Sequence, residues 1–197
     1  EMTIAESLSD VGYTCGVIGK WHLGASSVHH PLNRGFDEFF GHLGGGHQYF
    51  PEELIYEDSY AVSEESKSYR TWIMKNHDHV KTEKYLTDEF SDEAVRFVEK
   101  YKEEPFFLFL SYNAPHAPLQ ATEKYLSRFD NIQDSKRKTY AAMVSAVDDG
   151  VGMLLNKLNE LNLMENTLIF FLSDNGGPEE HNGSNNGVLR AGKGSVY

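Results

Sequence analysis

Five consecutive apolar residues, Phe106-Phe107-Leu108-Phe109-Leu110, follow a helical pattern and a proline, and nothing else in the chain constrains its fold as tightly. A strand without polar alternation is buried on both faces, which requires a parallel sheet covered by helices. The preceding helix reads over residues 87–102, with Phe90, Ala94, Phe97, Val98 and Tyr101 on one side, and Pro105 closes the connection. The same helix-then-strand unit is read twice more. Ile4, Leu8 and Val11 form a short apolar stripe that Gly12 stops, ahead of a short strand over 14–18. Ala141, Val144, Val147, Val151, Leu154, Leu158 and Leu161 keep helical spacing and lead into a strand over 167–172, Thr-Leu-Ile-Phe-Phe-Leu. The expected architecture is α/β, a mostly parallel sheet with helices on both faces.

Length and charge narrow the function classes. The 197 residues suffice for one substantial core, and 13% aromatic content with 12 Phe and 11 Tyr fits a packed protein. A net charge of −12 argues against nucleic acid as a partner, because phosphate contacts need clustered Lys and Arg. It leaves room for a small anionic substrate, since a few local cations outweigh the global sign. No apolar run reaches the roughly 20 residues of a transmembrane helix. Cys15 is the single cysteine, so no internal disulfide forms. Glu1 falls inside what reads as a helix and Tyr197 just past a glycine-rich loop, so residues 1–197 read as an incomplete part of one catalytic domain. Between about 41 and 86 the rhythm breaks, and Gly44-Gly45-Gly46-His47-Gln48-Tyr49-Phe50-Pro51 opens what reads as a long loop excursion over the site.

Open parallel sheets place their sites at the carboxyl ends of the strands. Polar groups follow each expected strand at that end: Gly19-Lys20-Trp21-His22, then Asn113-Ala114-Pro115-His116, then Asp174-Asn175-Gly176-Gly177. Asp174 and Asn175 offer oxygen donors, suited to a hard cation such as calcium and, behind it, magnesium; the same residues also form ordinary turns. Lys20 and His22 lie two apart, and on an extended segment they would face one pocket and suit an anionic tetrahedral group. A surface lysine beside a structural histidine is the plainer reading of that pair. His116 is flanked by Pro115 and Pro118, whose fixed backbone would preorganise the imidazole for proton transfer. Lys193 lies in a Gly- and Asn-rich loop and gains meaning only by converging with the others. His47, after three glycines, could contact substrate, as could Tyr49 and Phe50. Asn182-Gly183-Ser184 matches a short glycosylation sequon.

Taken together, these motifs resemble the type I sulfatases of the alkaline-phosphatase-like superfamily. The resemblance runs through Gly12-Tyr13-Thr14, Gly19-Lys20-Trp21-His22-Leu23-Gly24, Arg34-Gly35-Phe36-Asp37 with Phe39-Phe40-Gly41, Asn113-Ala114-Pro115-His116-Ala117-Pro118, Ser173-Asp174-Asn175-Gly176-Gly177 and Gly192-Lys193-Gly194. It is weakest between about 52 and 84. It implies that Asp174 and Asn175 bind calcium, that Lys20 and Lys193 hold the sulfate oxygens, that His116 protonates the leaving alcohol, and that His22 acts on the nucleophile. The substrate would be a sulfated small molecule or glycan, and location would be periplasmic, secreted or lysosomal.

One departure matters. The family nucleophile is a formylglycine made from a Cys or Ser in a Cys/Ser-x-Pro/Ala-x-Arg motif, and Cys15 is followed by Gly16-Val17-Ile18-Gly19 instead. The formylglycine and the remaining acidic metal ligands are therefore expected outside this chain, which alone would be inactive. Two alternatives stay open: a phosphatase or phosphodiesterase of the same superfamily, which Asn175 and the Lys20/His22 pair oppose, and a non-catalytic protein that binds sulfated glycans.

Overall fold

The structure, a computed structural model, describes residues 1–54 and 71–195. Five strands form one sheet: β1 (Thr14–Lys20), β2 (Glu38–His42), β3 (Ile73–Lys75), β4 (Asp78–His79) and β5 (Phe106–Ser111), in the order β4-β3-β2-β1-β5. β1 runs parallel to both β2 and β5, with Gly16 opposite Glu38 on one side and Leu108 on the other. β3 and β4 are antiparallel additions at the β2 edge. The sheet is thus mixed, and its parallel centre carries the site.

Pleating divides the central strands between two cores. Cys15 and Val17 join Ala5, Trp21, Phe36 and Phe39 under α1 (Ile4–Ser9), while Ile18 and Phe40 join Phe90, Ala94, Phe97, Ala142 and Met143 under α2 (Leu86–Lys100) and α4 (Ser135–Glu160). Between them, α3 (Glu123–Leu126) buries Tyr125 against the same core. Helices therefore cover both faces, as the apolar strands require. Gly16 is tied to this packing, because a Cβ there would lie 2.3 Å from the Phe97 ring. Gly150 similarly lets α4 approach Ser91 and Tyr112, whose hydroxyls share a 2.8 Å hydrogen bond. The amino end of α1 is closed by a capping box in which Thr3 and Glu6 satisfy each other's backbone N–H groups.

Four expectations change. Residues 167–172 form no strand, and positions 168–172 are between 45% and 83% exposed. A strand exists only by its ladder partners, and among the described residues β5 pairs with β1 alone. In α1 the stripe Ile4, Leu8, Val11 does not define the buried face: Ile4 and Val11 are exposed, and Ala5 is the buried residue of this six-residue helix. In α4 Val144 points outward, because the amino-terminal half turns its small residues Ala142, Ala146 and Gly150 towards α2. The stretch 41–86 is more than loop. It holds the β3–β4 hairpin, and Gly44, Gly45, Gly46 and His47 are buried rather than arched over the site; residues 55–70 of the expected excursion lie outside the described residues.

Candidate active site

The site is set up where β1 runs out. Gly19 holds φ +110 and lies so close to β5 that a Cβ would sit 1.9 Å from the Ser111 carbonyl oxygen. After Lys20 the chain is pinned by Trp21. Its backbone N–H donates to the His42 carbonyl, its indole Nε1 donates to His29 O at 2.8 Å, and its ring meets Phe36 edge to face. His22 then adopts a left-handed backbone, φ +55, with its N–H donating to Leu43 O at 3.1 Å. That conformation is strained for a residue with a Cβ, and such strain concentrates where a side chain must be presented. The expected extended Lys20–His22 segment is therefore bent, and His22 reaches the same neighbourhood as Lys20 by a different backbone route.

His116 is held from two sides. Its backbone N–H donates to Asn113 O at 2.8 Å, and its carbonyl accepts from the hydroxyl of Tyr49, a fully buried residue. Tyr49 and Phe50 were expected to meet a sugar. Tyr49 is instead a brace for the His116 loop, and Phe50 packs on the core beside Tyr85. Around the ring, Nδ1 lies 2.7 Å from Ala117 O. A carbonyl only accepts, so Nδ1 carries the proton in the neutral ring and Nε2 is the atom that titrates. Nε2 lies 3.4 Å from Lys193 Nζ.

The electrostatic couplings tie the residues together. Burial, followed by the charge of Lys193, holds the Lys20 ammonium below its ordinary value, with Asp174 opposing. His22 is lowered by burial and then by Lys20, Lys193 and His116, again with Asp174 opposing. His116 is lowered first by burial; Lys193 and Lys20 add to this, while the Ala117 hydrogen bond and Asp174 oppose it. Two lysines and two imidazoles thus press on one another around a single carboxylate, within a chain of net charge −12. This is a local field that favours an anion.

The carboxyl-terminal side of the site rests on a residue that sequence reasoning missed. Asn186 accepts from Gly177 N–H at 2.9 Å and donates to Gly177 O at 2.9 Å and Ala191 O at 3.0 Å. It clasps the loop so that Lys193 N–H can donate to Gly176 O at 2.9 Å. The signal was present only as asparagine richness, which does not reveal a partner nine residues away. Asn113, which opens the Asn-Ala-Pro-His motif, is 4% exposed, and neither polar atom of its side-chain amide has a hydrogen-bond partner among the described residues.

Not every candidate joins the cluster. His47 is 1% exposed, with Nε2 2.8 Å from Thr71 O, and packs against His42 beneath the site. Asn182 of the sequon is buried and its side-chain oxygen accepts from Ser184 N–H, so it is not presented as a glycosylation acceptor. Cys15 is fully buried in β1 and burial, with Asp37 adding, pushes its thiol up to about 11, which rules it out as a nucleophile at neutral pH.

The sulfatase family model matches residues 1–196 of this chain. The chain belongs to the sulfatase family. The N-acetylgalactosamine-6-sulfatase of Homo sapiens is 34% identical over 209 residues, covering 100% of this chain and 37% of the relative. The arylsulfatase of Hemicentrotus pulcherrimus is 32% identical, over 98% of the chain and 35% of the relative. Among solved structures, Ps i-CgsB in complex with k-i-k-neocarrahexaose matches with a TM-score of 0.88 and 48% identity, over 98% of this chain and 44% of that one. The chain therefore spans little more than a third of the length of these curated relatives. In this sulfatase chain the parallel β2-β1-β5 centre is the part that carries Lys20, His22 and His116.

Asp174 and Asn175 fit a metal in donor type. Both are exposed and both offer oxygen, and the Asn175 amide nitrogen is turned to Gly176 O at 3.0 Å. Their three side-chain oxygens are short of the six to eight that calcium takes. Among the described residues no group of three or more His, Cys, Asp or Glu assembles to hold a metal.

Proposed function

We propose that this chain forms part of a sulfatase that hydrolyses the sulfate ester of a sulfated carbohydrate to the free alcohol and inorganic sulfate. The observation that carries the reading is the coupling of Lys20, His22, His116 and Lys193 around Asp174. Membership of the sulfatase family, with relatives named for sulfated substrates, gives it its chemical class.

The residues divide the work. Lys20 and Lys193 bind the non-bridging sulfate oxygens and offset the charge that grows as the S–O bond breaks. His116 delivers a proton from Nε2 to the departing alkoxide as general acid. Burial first, then the charges of Lys193 and Lys20, lower His116 in the free site, and a bound sulfate ester would offset the part that the lysines contribute. His22, held by its strained backbone, assists the nucleophile and the release of sulfate. The nucleophile is a formylglycine outside this chain, since buried Cys15 cannot serve. Asp174 and Asn175 would hold calcium, which would supply charge stabilisation to the sulfate and the nucleophile when bound.

The test uses the full-length protein containing this chain, assayed for inorganic sulfate release from N-acetylgalactosamine 6-sulfate, k-i-k-neocarrahexaose and an aryl sulfate, with the matched aryl phosphate alongside. Sulfate release from a carbohydrate ester supports the reading. Preferential phosphate turnover, or binding of the sulfated sugars without turnover, overturns it.

A further inference from the structure

His42 is a fully buried ring beneath the site, and it closes β2 opposite Lys20 in the parallel register. Ile18 and Phe40, the register pair two residues earlier, share one core, and alternation places Lys20 and His42 on that same face. His42 keeps to it by stacking on Phe90 of that core, with 6.3 Å between ring centroids at 26°. The two strands are drawn together just before the pair, where a Cβ on Gly41 would lie 1.8 Å from the Gly19 carbonyl oxygen. Beyond it, Trp21 N–H donates to His42 O at 3.0 Å. The backbone thus sets Lys20 and His42 side by side.

Hydrogen bonding leaves one atom of the ring over. Nδ1 lies 3.1 Å from Gly44 O, and a carbonyl only accepts, so Nδ1 carries the proton of the neutral ring and Nε2 keeps the lone pair. Nε2 is sealed from solvent and has no hydrogen-bond partner among the described residues. A buried acceptor without a donor costs free energy. Three titratable groups act on the ring: His47, then Lys20, then His22. The ring nitrogens of His47 face the carbonyls of Gln48 and Thr71. Lys20 offers three N–H donors, and its ammonium makes no hydrogen bond or ion pair among the described residues.

We infer that His42 is the positioning residue of Lys20: its Nε2 accepts one ammonium N–H and so aims the other two at the sulfate oxygens. A lysine ammonium rides on a flexible four-carbon stem, and a fixed acceptor removes that freedom before the substrate arrives. The acceptor is itself held, by Gly44 O at Nδ1 and by Phe90 against the ring. A neutral imidazole suits this task better than a carboxylate, because it orients the ammonium without cancelling the charge that sulfate needs. The inference rests on the proposed sulfate-ester hydrolysis and adds what fixes its first lysine.

The experiment uses the full-length protein with His42→Phe, His42→Gln, Lys20→Met and the double variant of His42→Phe with Lys20→Met, folding being checked by circular dichroism. Binding of inorganic sulfate is measured by titration calorimetry, and sulfate release from an aryl sulfate in parallel. Phe keeps an aromatic ring against Phe90 but has no lone pair, whereas the Gln carbonyl still accepts. The expected result is sulfate binding weakened about tenfold in His42→Phe and held within about threefold in His42→Gln. Adding His42→Phe to Lys20→Met should weaken it by less than about twofold, because His42 acts through Lys20. A ring that merely packs would lose the same amount with or without Lys20. Unchanged binding in His42→Phe, an equal loss in His42→Gln, an undiminished loss in the Lys20→Met background, or no sulfate binding by the unmodified protein would each overturn the positioning role. If the protein releases no sulfate from any ester yet shows the Lys20-dependent pattern with inorganic sulfate, the catalytic reading falls and the positioning role stands.

Discussion

Lys20 and His116 stand on chain that continues paired strands of the sheet, whereas Asp174 and Lys193 stand on chain that pairs with no strand among the described residues. On the first side every turn is backed by the core. Gly19 touches β5, Trp21 is buried, and Tyr49 reaches across to hold the His116 carbonyl. On the second side positions 168–172 are exposed, and the loop is kept in shape by Asn186 and a few backbone bonds. The contrast teaches that one site can be preorganised by two means: packing, which is rigid, and local hydrogen bonds, which are weaker singly and open more easily. A general acid belongs on the rigid side, because proton transfer needs a fixed donor position.

The largest expected effect is at His116. In the full-length protein His116→Ala should lower turnover of a sugar sulfate by about 10²- to 10⁴-fold. The loss should shrink towards nothing on aryl sulfates with good leaving groups, which depart without a proton. Steady-state rates across a series of leaving groups test this; an equal loss on all of them would remove His116 from the acid role.

Next come substitutions that probe the two sides directly, read from denaturant midpoints. Gly19→Ala should destabilise by roughly 3–5 kcal/mol, since its Cβ would collide with Ser111 backbone and its φ is +110. Gly187→Ala, on the carboxyl-terminal side, has φ +61 but nothing within 4 Å of the added carbon. Its cost should stay near 1 kcal/mol, the backbone penalty alone. Similar costs at both positions would erase the distinction between a packed and a hydrogen-bonded side.

Asn186→Ala sharpens the same point by separating stability from activity. Removing its three hydrogen bonds, two of them part-buried, should cost about 1.5–2 kcal/mol of stability, the low end for three such bonds. Turnover should nonetheless fall about tenfold, carried by a higher KM, because Lys193 is no longer delivered to the sulfate. A large drop in the unfolding midpoint, or an unchanged KM, would show that the clasp does something else.

How far the sequence revealed these features depended on how local each one is. α2, β1 and β5 were legible because their apolar spacing and the stops at Gly12 and Pro105 are local, and the polar groups at their ends marked the right edge of the sheet. The strand expected over 167–172 has the right composition, but a strand also needs a partner, and composition does not name one. β3 and β4, three and two residues long, are too short for any periodicity. Lys20 and His22 were paired on an assumed extended backbone. The left-handed turn at His22 depends on Trp21 finding Phe36 and His29, which spacing cannot foretell. His47 reads as a substrate contact after three glycines because glycine suggests loops, yet it and those glycines are buried beside Thr71, whose hydroxyl accepts from Leu43 and Gly44 N–H groups.

The smallest effect expected is a pH dependence lodged on the rigid side. His42, at the end of β2, is fully buried, and its ring is held well below the ordinary histidine value of 6.5, first by burial and then by His47. In the unfolded chain it protonates near that ordinary value, so below about pH 6.5 the unfolded state binds a proton that the folded state refuses. The stability from burying the neutral ring is therefore complete above pH 6.5 and is lost as pH falls below it. Its Nδ1 faces Gly44 O at 3.1 Å, while Nε2 is buried without a partner among the described residues, so nothing there welcomes the added proton. Denaturant midpoints at pH 7.5, 6.5 and 5.5 should decline over the lower interval, and His42→Gln, which cannot titrate, should flatten that decline. The exposed loop carrying Lys193 has no buried histidine of this kind among the described residues, so hydrogen exchange there should be less sensitive to acid than exchange in β2, after correction for the intrinsic pH dependence. An acid response confined to the loop would reverse the assignment of which side is rigid.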